Sequence, residues 1–517
     1  MLQTTAGLAV HLSAHESIES ALVDQLLFEL PQTWVGADAG AAALAIEGWR
    51  RFQAGLPEDC YTMLLQAELA ASTVFERAVI SGVRAQLALY QGEFENASTT
   101  AQHALDQIGV GHDALRAWLM AVQALACGID GNLASARRVT ARALALATMD
   151  GRALLPVLVS DAWQQLSLGH FALAQQKLRN ALSVAQRLHP SCKVQLSLIH
   201  ASLAGLAYDQ DELHTARHHA EHAVDLGISA GSRQGQMGGL AILSRLEFAF
   251  KQTERAVTLA REALSVADSL DSCKPFADAL CGLHLCALVP AESVRWAMAV
   301  ASEQTIDNSL FSPAIRDWRS VCASRVLFAH GNMEDARHAL SSAIVRVERG
   351  ESGSAALVLS QLAAVQLALG NVTDAKITMR TAVRHSVDGA LVRPFVDAGI
   401  EIYPLVTECL KHATTAEHAS FADQVHRILA AFDRVPRWTQ APPGESRAGL
   451  RQSLTQREQL VLQLIAAGLS NSAIAMRLGT AMGTVKKQAS ACLRKLGASN
   501  RTEAVANARR AGLVAGP

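Results

Sequence analysis

Aromatic residues are scarce in this sequence of 517 residues, and long apolar runs are absent. Only 5% of the residues are aromatic although 50% are hydrophobic, because alanine and leucine dominate the apolar content. This composition is typical of helices packed through small side chains and argues against a β-sandwich. No apolar run is long enough to span a membrane, and the first residues lack the pattern of a signal peptide. We therefore expect a cytoplasmic protein without a membrane partner.

Paired cysteines are also absent. The nine cysteines are scattered and form no C-x-x-C pair, which is typical of buried thiols in a reducing compartment rather than of disulfides or a zinc site. Three histidines, His214, His218 and His222, recur at intervals of four and could bind a metal. The alanines between them mark the packed side of that helix, so we expect the histidines to point outward and predict no metal site.

Catalytic signatures are missing as well. No Ser/His/Asp or Cys/His combination stands at a recognisable spacing, so the sequence predicts no enzyme and no cofactor. The phosphate-binding pattern G-x-x-x-x-G-K-[ST] does not occur.

A repeat of about forty residues does occupy most of the chain. An alanine stands five residues after each repeat anchor, and another stands twelve residues after it with an aliphatic residue next. The anchors are Gly92, Gly131, Gly169, Asp211, Lys251, Gly331 and Gly370. Their spacing predicts a further degenerate unit near residue 291, and "GWRRFQAGLPEDCYTML" reads as a weaker first copy.

Each repeat predicts a helix hairpin. The anchor favours a turn, and alanines seven residues apart on one face allow the paired helix to approach closely. These units resemble tetratricopeptide repeats, which bury their apolar faces only against their neighbours. The predicted fold is all-α, with a right-handed tetratricopeptide-like solenoid whose concave groove binds an effector, either a small molecule or a protein.

Composition divides the chain into three parts. Residues 1–438 form the helical-repeat region, residues 439–450 ("TQAPPGESRAGL") read as a linker, and residues 451–517 form a small domain. From Arg451 onward ten basic residues oppose two acidic ones, a balance of +8, so residues 1–450 carry −9 of the total charge of −1. A basic domain attached to an acidic one indicates an anionic partner for the small domain.

The last part predicts four short helices. Thr455 and Glu458 have the spacing of a capping box, "SNSAIAMRLG" predicts a short second helix, and the third helix covers about residues 482–496. "SNRTEAVANARRAGL" predicts a fourth. Short helices, a tight turn and a basic third helix are typical of a helix-turn-helix domain.

The motifs "LTQRE", "GLSNSAIAMRL", "TVK" and "RKLGASNRTEAV" resemble, in this order, the LuxR-type (GerE-like) helix-turn-helix of bacterial regulators. The repeats, with "GALVRPFVDAG", are similar to the helical-repeat region of the maltose-regulon activator family. That family places an ATP-binding domain before the repeats, and its phosphate-binding motif is absent here.

The resemblance implies a DNA-binding surface on the third helix. It places Thr484 and Lys486 on DNA, while Lys487 and Ser490 project from the same side and could reach base edges. Lys495 and Arg501 either contact the backbone or are solvated, and Val485, Leu493 and Leu496 hold the helix against its domain. The sequence departs from the family at Ala481, where Thr480 could serve as the cap instead, and at Gln488, and it has a glycine, Gly483, inside the helix.

Three hypotheses follow. The first is a transcriptional regulator, favoured by the resemblance to be an activator that contacts RNA polymerase and binds promoter DNA as a homodimer. The second is an interaction scaffold whose DNA-binding function has decayed, and the third is the C-terminal part of a larger ATP-dependent regulator. Arg393 and Asp397 of "RPFVDAG" are either a structural joint or part of a sensor.

Overall fold

The computed structural model describes most of the repeat region and parts of the C-terminal domain. The described residues are 40–53, 56–91, 93–110, 112–147, 151–188, 192–250, 252–267, 313–350, 352–412, 419–434, 456–466, 470, 474–475, 480, 482–495 and 504. They form two compact units, Met1–Phe432 and Asp433–Pro517. The predicted degenerate repeat near residue 291 and the predicted linker lie outside the described residues.

The described residues form helices and turns with no strand, which confirms the predicted all-α class. Helices of the first unit are α1 Ala41–Gln53, α2 Pro57–Ala70, α3 Val74–Tyr90, α4 Phe94–Gln107, α5 Asp113–Ile129, α6 Leu133–Ala147, α7 Gly151–Ser167, α8 Phe171–Leu188, α9 Lys193–Asp209, α10 Leu213–Ala230, α11 Arg233–Ala249, α12 Thr253–Ala267, α13 Pro313–Ala329, α14 Met333–His338, α15 Ser341–Glu348, α16 Ala355–Ala368, α17 Val372–Ser386, α18 Arg393–Val396, α19 Tyr403–Cys409 and α20 Ala419–Arg434. Helices of the second unit include α21 Gln456–Ala466 and α22 Met482–Lys495.

The repeat alanines form the contact surface of the hairpins, as the sequence predicts. All fourteen are at most 1% exposed: Ala97, Ala104, Ala136, Ala143, Ala174, Ala181, Ala216, Ala223, Ala256, Ala263, Ala336, Ala343, Ala375 and Ala382. Because the alanine side chain ends at Cβ, the facing helix packs directly on the backbone at these positions. The small residues therefore set how closely the paired helices approach, and large aliphatic side chains such as Leu119, Leu178 and Ile199 fill the core beside them.

The anchor positions provide the turns between paired helices. Four of the anchor glycines, Gly131, Gly169, Gly331 and Gly370, adopt left-handed backbone conformations with φ between 77° and 92°, which cost glycine nothing because it has no Cβ. Asp211 occupies the same place with φ 64°, and aspartate is among the few other residues that adopt this conformation. At these five anchors the first helix of the hairpin therefore ends in a left-handed turn. The anchors at positions 92 and 251 lie outside the described residues.

The weaker first copy is also a helix pair. Helices α1 and α2 face each other, and Cys60, Leu64 and Ala67 of α2 are buried between them. The next helix begins with a capping box, in which Thr73 Oγ1 accepts the Glu76 backbone N–H at 3.1 Å and Glu76 Oε2 accepts that of Thr73 at 2.9 Å.

The late repeats of this unit contact the middle ones. A Cβ added to Gly353 would lie 2.5 Å from the carbonyl oxygen of Ser167 and 2.7 Å from the backbone nitrogen of Gly169. The backbone N–H of Val392 donates to the carbonyl of Asp209 at 2.6 Å. The array thus closes on itself between α7–α9 and the segment 353–392, which the repeat pattern does not predict.

The cysteines behave as the composition predicts. Of the six within the described residues, Cys60, Cys192, Cys322, Cys409 and Cys492 are buried and Cys127 is partly exposed, and none of these six forms a disulfide. Burial raises the pKa of Cys60, Cys192 and Cys409 to about 11, so these thiols stay protonated and unreactive at neutral pH. No helix among the described residues is long and apolar enough to cross a membrane.

Candidate nucleic-acid interface

The C-terminal unit has a small apolar core that orients α22. Val461 and Ile465 of α21 pack with Ile474, Val485 and Ala489. Ile474 and Ala475 are helical and buried, so they belong to the predicted second helix of the helix-turn-helix. The Cys492 thiol donates to the carbonyl oxygen of Glu458 at 3.4 Å, which ties the end of α22 to the start of α21.

One face of α22 is fixed against this core. Val485, Ala489 and Cys492 are at most 8% exposed, and their spacing of four and three residues defines a single helical face. The prediction that Val485 holds the helix against its own domain is confirmed. Ser490 and Gly483, on the other side, are exposed, so the buried face leaves the opposite side of a basic helix free for another molecule.

Besides Ser490, four of the six candidate DNA-binding residues can be placed relative to this buried face. At about 100° per residue, position 487 lies opposite it, position 486 lies on one flank, and positions 484 and 495 lie on the other flank. Arg501 lies outside the described residues, as does Leu496. Position 494 lies on the same side of the helix as positions 487 and 490, so Arg494 is a further candidate DNA-binding residue. The sequence analysis missed it, although its spacing of seven residues from Lys487 places both on one helical face.

The start of α22 differs from the expectation. Thr480, which could have served as the cap in place of Ala481, does not do so, because its Oγ1 atom is buried without a hydrogen-bond partner. The helix begins at Met482. A Cβ added to Gly483 meets no atom within 4 Å, and therefore no packing requirement explains the glycine.

Arg393 and Asp397 lie in a buried ionic cluster rather than in an open site. Arg393 donates to Asp397, to the Tyr208 hydroxyl at 3.2 Å and to Asp211 Oδ1 at 3.4 Å. Tyr208 in turn donates to Asp397 Oδ2 at 3.0 Å. Arg245 pairs with Asp209 at 3.1 Å and approaches Asp397 at 3.8 Å. These six residues, the buried ionic cluster, bridge segments that are more than 180 residues apart in the sequence.

Electrostatics keep the centre of this cluster charged. Burial by itself would raise the pKa of Asp397, but Arg393, Arg245 and Arg325 outweigh burial and hold that pKa below its ordinary value. Burial prevails at Asp209, where it raises the pKa although Arg245 opposes the rise. Of the two alternatives for the "RPFVDAG" motif, the geometry favours a structural joint.

The histidines of α10 point outward, as predicted from the buried alanines Ala216, Ala220 and Ala223, because His214, His218 and His222 are exposed. Two of them, His218 and His222, also lie in a cluster with His200 and His219 that the sequence did not predict. His200 Nδ1 lies 2.9 Å from His219 Nδ1, and the His200 ring centroid lies 5.2 Å from that of His222. Within the described parts of the chain, no group of three or more His, Cys, Asp or Glu side chains is arranged to hold a metal ion.

Known protein families match both the repeat region and the C-terminal domain of the chain. Residues 78–412 match the family described as "MalT-like TPR region", and residues 452–508 match "Bacterial regulatory proteins, luxR family". The chain is 46% identical over 61 residues to the transcriptional regulatory protein YdfI of Bacillus subtilis (strain 168), a match that covers 12% of this chain and 29% of that protein.

Solved structures add only a distant likeness. A monomeric mutant of IFIT1 with m7Gppp-AAAA has a TM-score of 0.32 and 14% identity, covering 96% of this chain and 94% of that one. The human IFIT1 dimer with m7Gppp-AAAA has a TM-score of 0.29 and 14% identity, with 85% and 95% covered. The chain belongs to the family with a MalT-like TPR region, and its C-terminal domain matches the luxR family of bacterial regulatory proteins.

Proposed function

We propose that this protein is a transcriptional regulator, a promoter-binding activator whose helical repeats receive a chemical or protein signal. The observation that carries the proposal is the orientation of α22, whose apolar side is fixed by Val485, Ala489 and Cys492. Its opposite side carries position 487 between Gly483 and Ser490, with Arg494 one further turn along. A basic helix held in this way fits the major groove of DNA.

In the proposed complex most of the affinity comes from phosphate contacts. Lys486, Lys487, Lys495 and Arg501 supply positive charge, while Thr484 and Ser490 supply hydroxyl donors. Hydroxyl groups bind phosphate oxygens and bases alike. The helix lacks an asparagine, and its one arginine, Arg494, lies near its C-terminal end. Sequence preference is therefore expected to be modest and salt dependence strong.

The first experiment is binding of the full-length chain to DNA fragments from its own genomic neighbourhood over a salt series. Substituting both Lys486→Ala and Lys487→Ala removes two phosphate contacts, so the slope of log K against log salt should fall in magnitude by about 1.8. Affinity at low salt should drop at least tenfold.

The matched control is Arg137→Ala with Arg138→Ala, an adjacent exposed basic pair on α6 of the repeat region. It removes the same charge and should leave both slope and affinity as in the wild type. Equal losses in the two double variants, or no wild-type preference for any fragment over random DNA, would contradict the proposal and favour a scaffold that binds only protein.

Regulation in this proposal is a population shift, in which the effector changes how often two DNA-binding domains are paired for adjacent half-sites. Pairing as a homodimer, and contact with RNA polymerase, are parts of the same proposal. Footprinting tests the first part: a dimer protects two half-sites about 10 base pairs apart, or a multiple of that distance, whereas a monomer protects one. Transcription reconstituted with purified polymerase tests the second.

A further inference from the structure

A cavity of about 360 Å³ lies between the last two described hairpins of the repeat array. Its walls come from α14, α15, α16 and α17. Leu359 and Leu362 are 7% exposed and form part of its apolar surface with Ile344 and Val347. The volume is within the range of small-molecule sites, which are mostly apolar with a few polar groups.

An apolar side chain of the cavity also remains exposed to water. Ile377, which lines the cavity, is 51% exposed. Covering Ile377 with an apolar group would remove it from water and stabilise the complex.

One buried polar atom at the cavity has no partner. Gln366 lines the cavity, and its Oε1 atom is buried without a hydrogen-bond donor. A buried carbonyl oxygen left without a donor destabilises the protein, so a ligand group that donates to it binds more tightly than one that forms an ordinary surface hydrogen bond. The position therefore selects for a donor rather than for an acceptor.

We propose that this cavity binds a small molecule with an apolar body and an N–H or O–H group that donates to Gln366. Arg337 and Glu348 also line the cavity and are exposed. The exposed ion pair of Arg337 with Glu334, 3.1 Å long, contributes little to stability, so Arg337 is free to turn toward an anionic substituent. The inference rests on the proposed function only in giving the cavity a role as effector site.

The test uses 8-anilinonaphthalene-1-sulfonate, which combines apolar rings, one N–H donor and a sulfonate. Isothermal titration of the full-length chain should show one saturable site per chain. Thr378→Trp, at a lining position of α17, should fill the cavity and abolish the binding heat. Thr373→Trp, at an exposed position of the same helix that does not line the cavity, is the matched control and should bind as the wild type does.

Gln366→Leu tests the donor requirement separately. It removes the acceptor at nearly constant volume, so binding should weaken about tenfold while the urea midpoint stays the same or rises. Non-saturable binding, or equal binding by the Thr378→Trp and Thr373→Trp variants, would overturn the inference. A Gln366→Leu variant that binds at full strength would overturn the donor assignment.

The DNA-binding salt series run on the same samples separates the two proposals. If the wild-type chain binds DNA as expected but shows no saturable binding of the probe, only the proposal of a ligand-binding cavity is rejected. Saturable probe binding in a wild-type chain that prefers no DNA fragment would reject the promoter-binding function alone.

Discussion

At the scale of single residues, Gly483 is the clearest departure from what a stable helix requires. It lies in the first turn of α22, is exposed, and has open space where a Cβ would stand. Glycine costs about 1 kcal/mol relative to alanine inside a helix because its backbone loses more freedom on folding. Gly483→Ala should therefore stabilise the helix.

Hydrogen exchange measured by mass spectrometry on the full-length chain checks this expectation. Amides of Met482–Lys495 should exchange about five times more slowly in the Gly483→Ala variant, which corresponds to about 1 kcal/mol. Ala491→Gly, the reverse change on the same helix, is the control and should speed exchange by a similar factor. Unchanged exchange in both variants would show that these amides open by a route independent of the helix.

His200 gives a pH dependence at the same scale. Burial, followed by the neighbouring His219, His222 and His218, lowers the pKa of His200 from 6.5 to about 4. Burial also lowers the pKa of His219, with His218, His222 and Arg179 of α8 acting in the same direction. The folded chain therefore binds fewer protons than the unfolded chain between pH 6.5 and about 4.

Stability that is present above pH 6.5 should thus be lost as the pH falls through this window. Urea denaturation at several pH values checks the trend. His200→Gln removes the group and should flatten the decline, whereas His103→Gln, at an exposed position of α4, is the control. An equally steep decline in the wild type and in His200→Gln would assign the acid sensitivity to other groups.

At the scale of helices, the repeat alanines decide how closely neighbours pack. Ala143 of α6 is fully buried, whereas Ala145, two residues later on the same helix, is exposed. Ala143→Leu forces extra methyl groups into a filled contact and should cost about 1–3 kcal/mol. Ala145→Leu adds the same atoms on the solvent side and should change the free energy of unfolding by less than about 0.5 kcal/mol.

Urea denaturation followed by circular dichroism distinguishes these outcomes. If Ala143→Leu lowered the free energy of unfolding no more than Ala145→Leu does, the packed helices could move apart to fit the larger side chain without loss of stability. The small-residue explanation of the repeat would then fail.

At the scale of the whole repeat region, the buried ionic cluster connects the middle repeats to the end of the region. Asp397→Asn leaves Arg393 and Arg245 buried with less opposing charge, and breaking a buried pair in this way costs about 3–5 kcal/mol. Because α9 and α11 share the cluster, their amides should also exchange faster, although they lie far away in sequence. Hydrogen exchange of Lys193–Asp209 and Arg233–Ala249 measures this coupling.

The control for the cluster is Glu334→Gln, which breaks an ion pair whose side chains are 57% and 71% exposed. Exposed pairs contribute about 0–1 kcal/mol, so this variant should unfold close to the wild type. If the two variants lost the same small amount, the cluster would have no role in closing the array.

Local patterns were sufficient to predict much of this molecule. The hairpins, their glycine turns and the buried alanines all recur about every forty residues. Within each helix, the spacing of apolar residues in the sequence shows which positions are buried and which are exposed. The buried side of α22 follows for the same reason, since Val485, Ala489 and Cys492 recur at helical spacing. Whether Thr480 caps the helix could not be predicted, because a hydroxyl next to a helix start does not by its position ensure cap geometry.

The sequence by itself therefore determined the helices, the repeat and the basic third helix of the C-terminal domain. Tertiary structure alone decided the closure of Gly353 on Gly169, the cluster of Arg393 with Tyr208 and the cavity at Gln366. The reason is physical: these features join groups from different repeats, and no local period relates positions that only packing brings together.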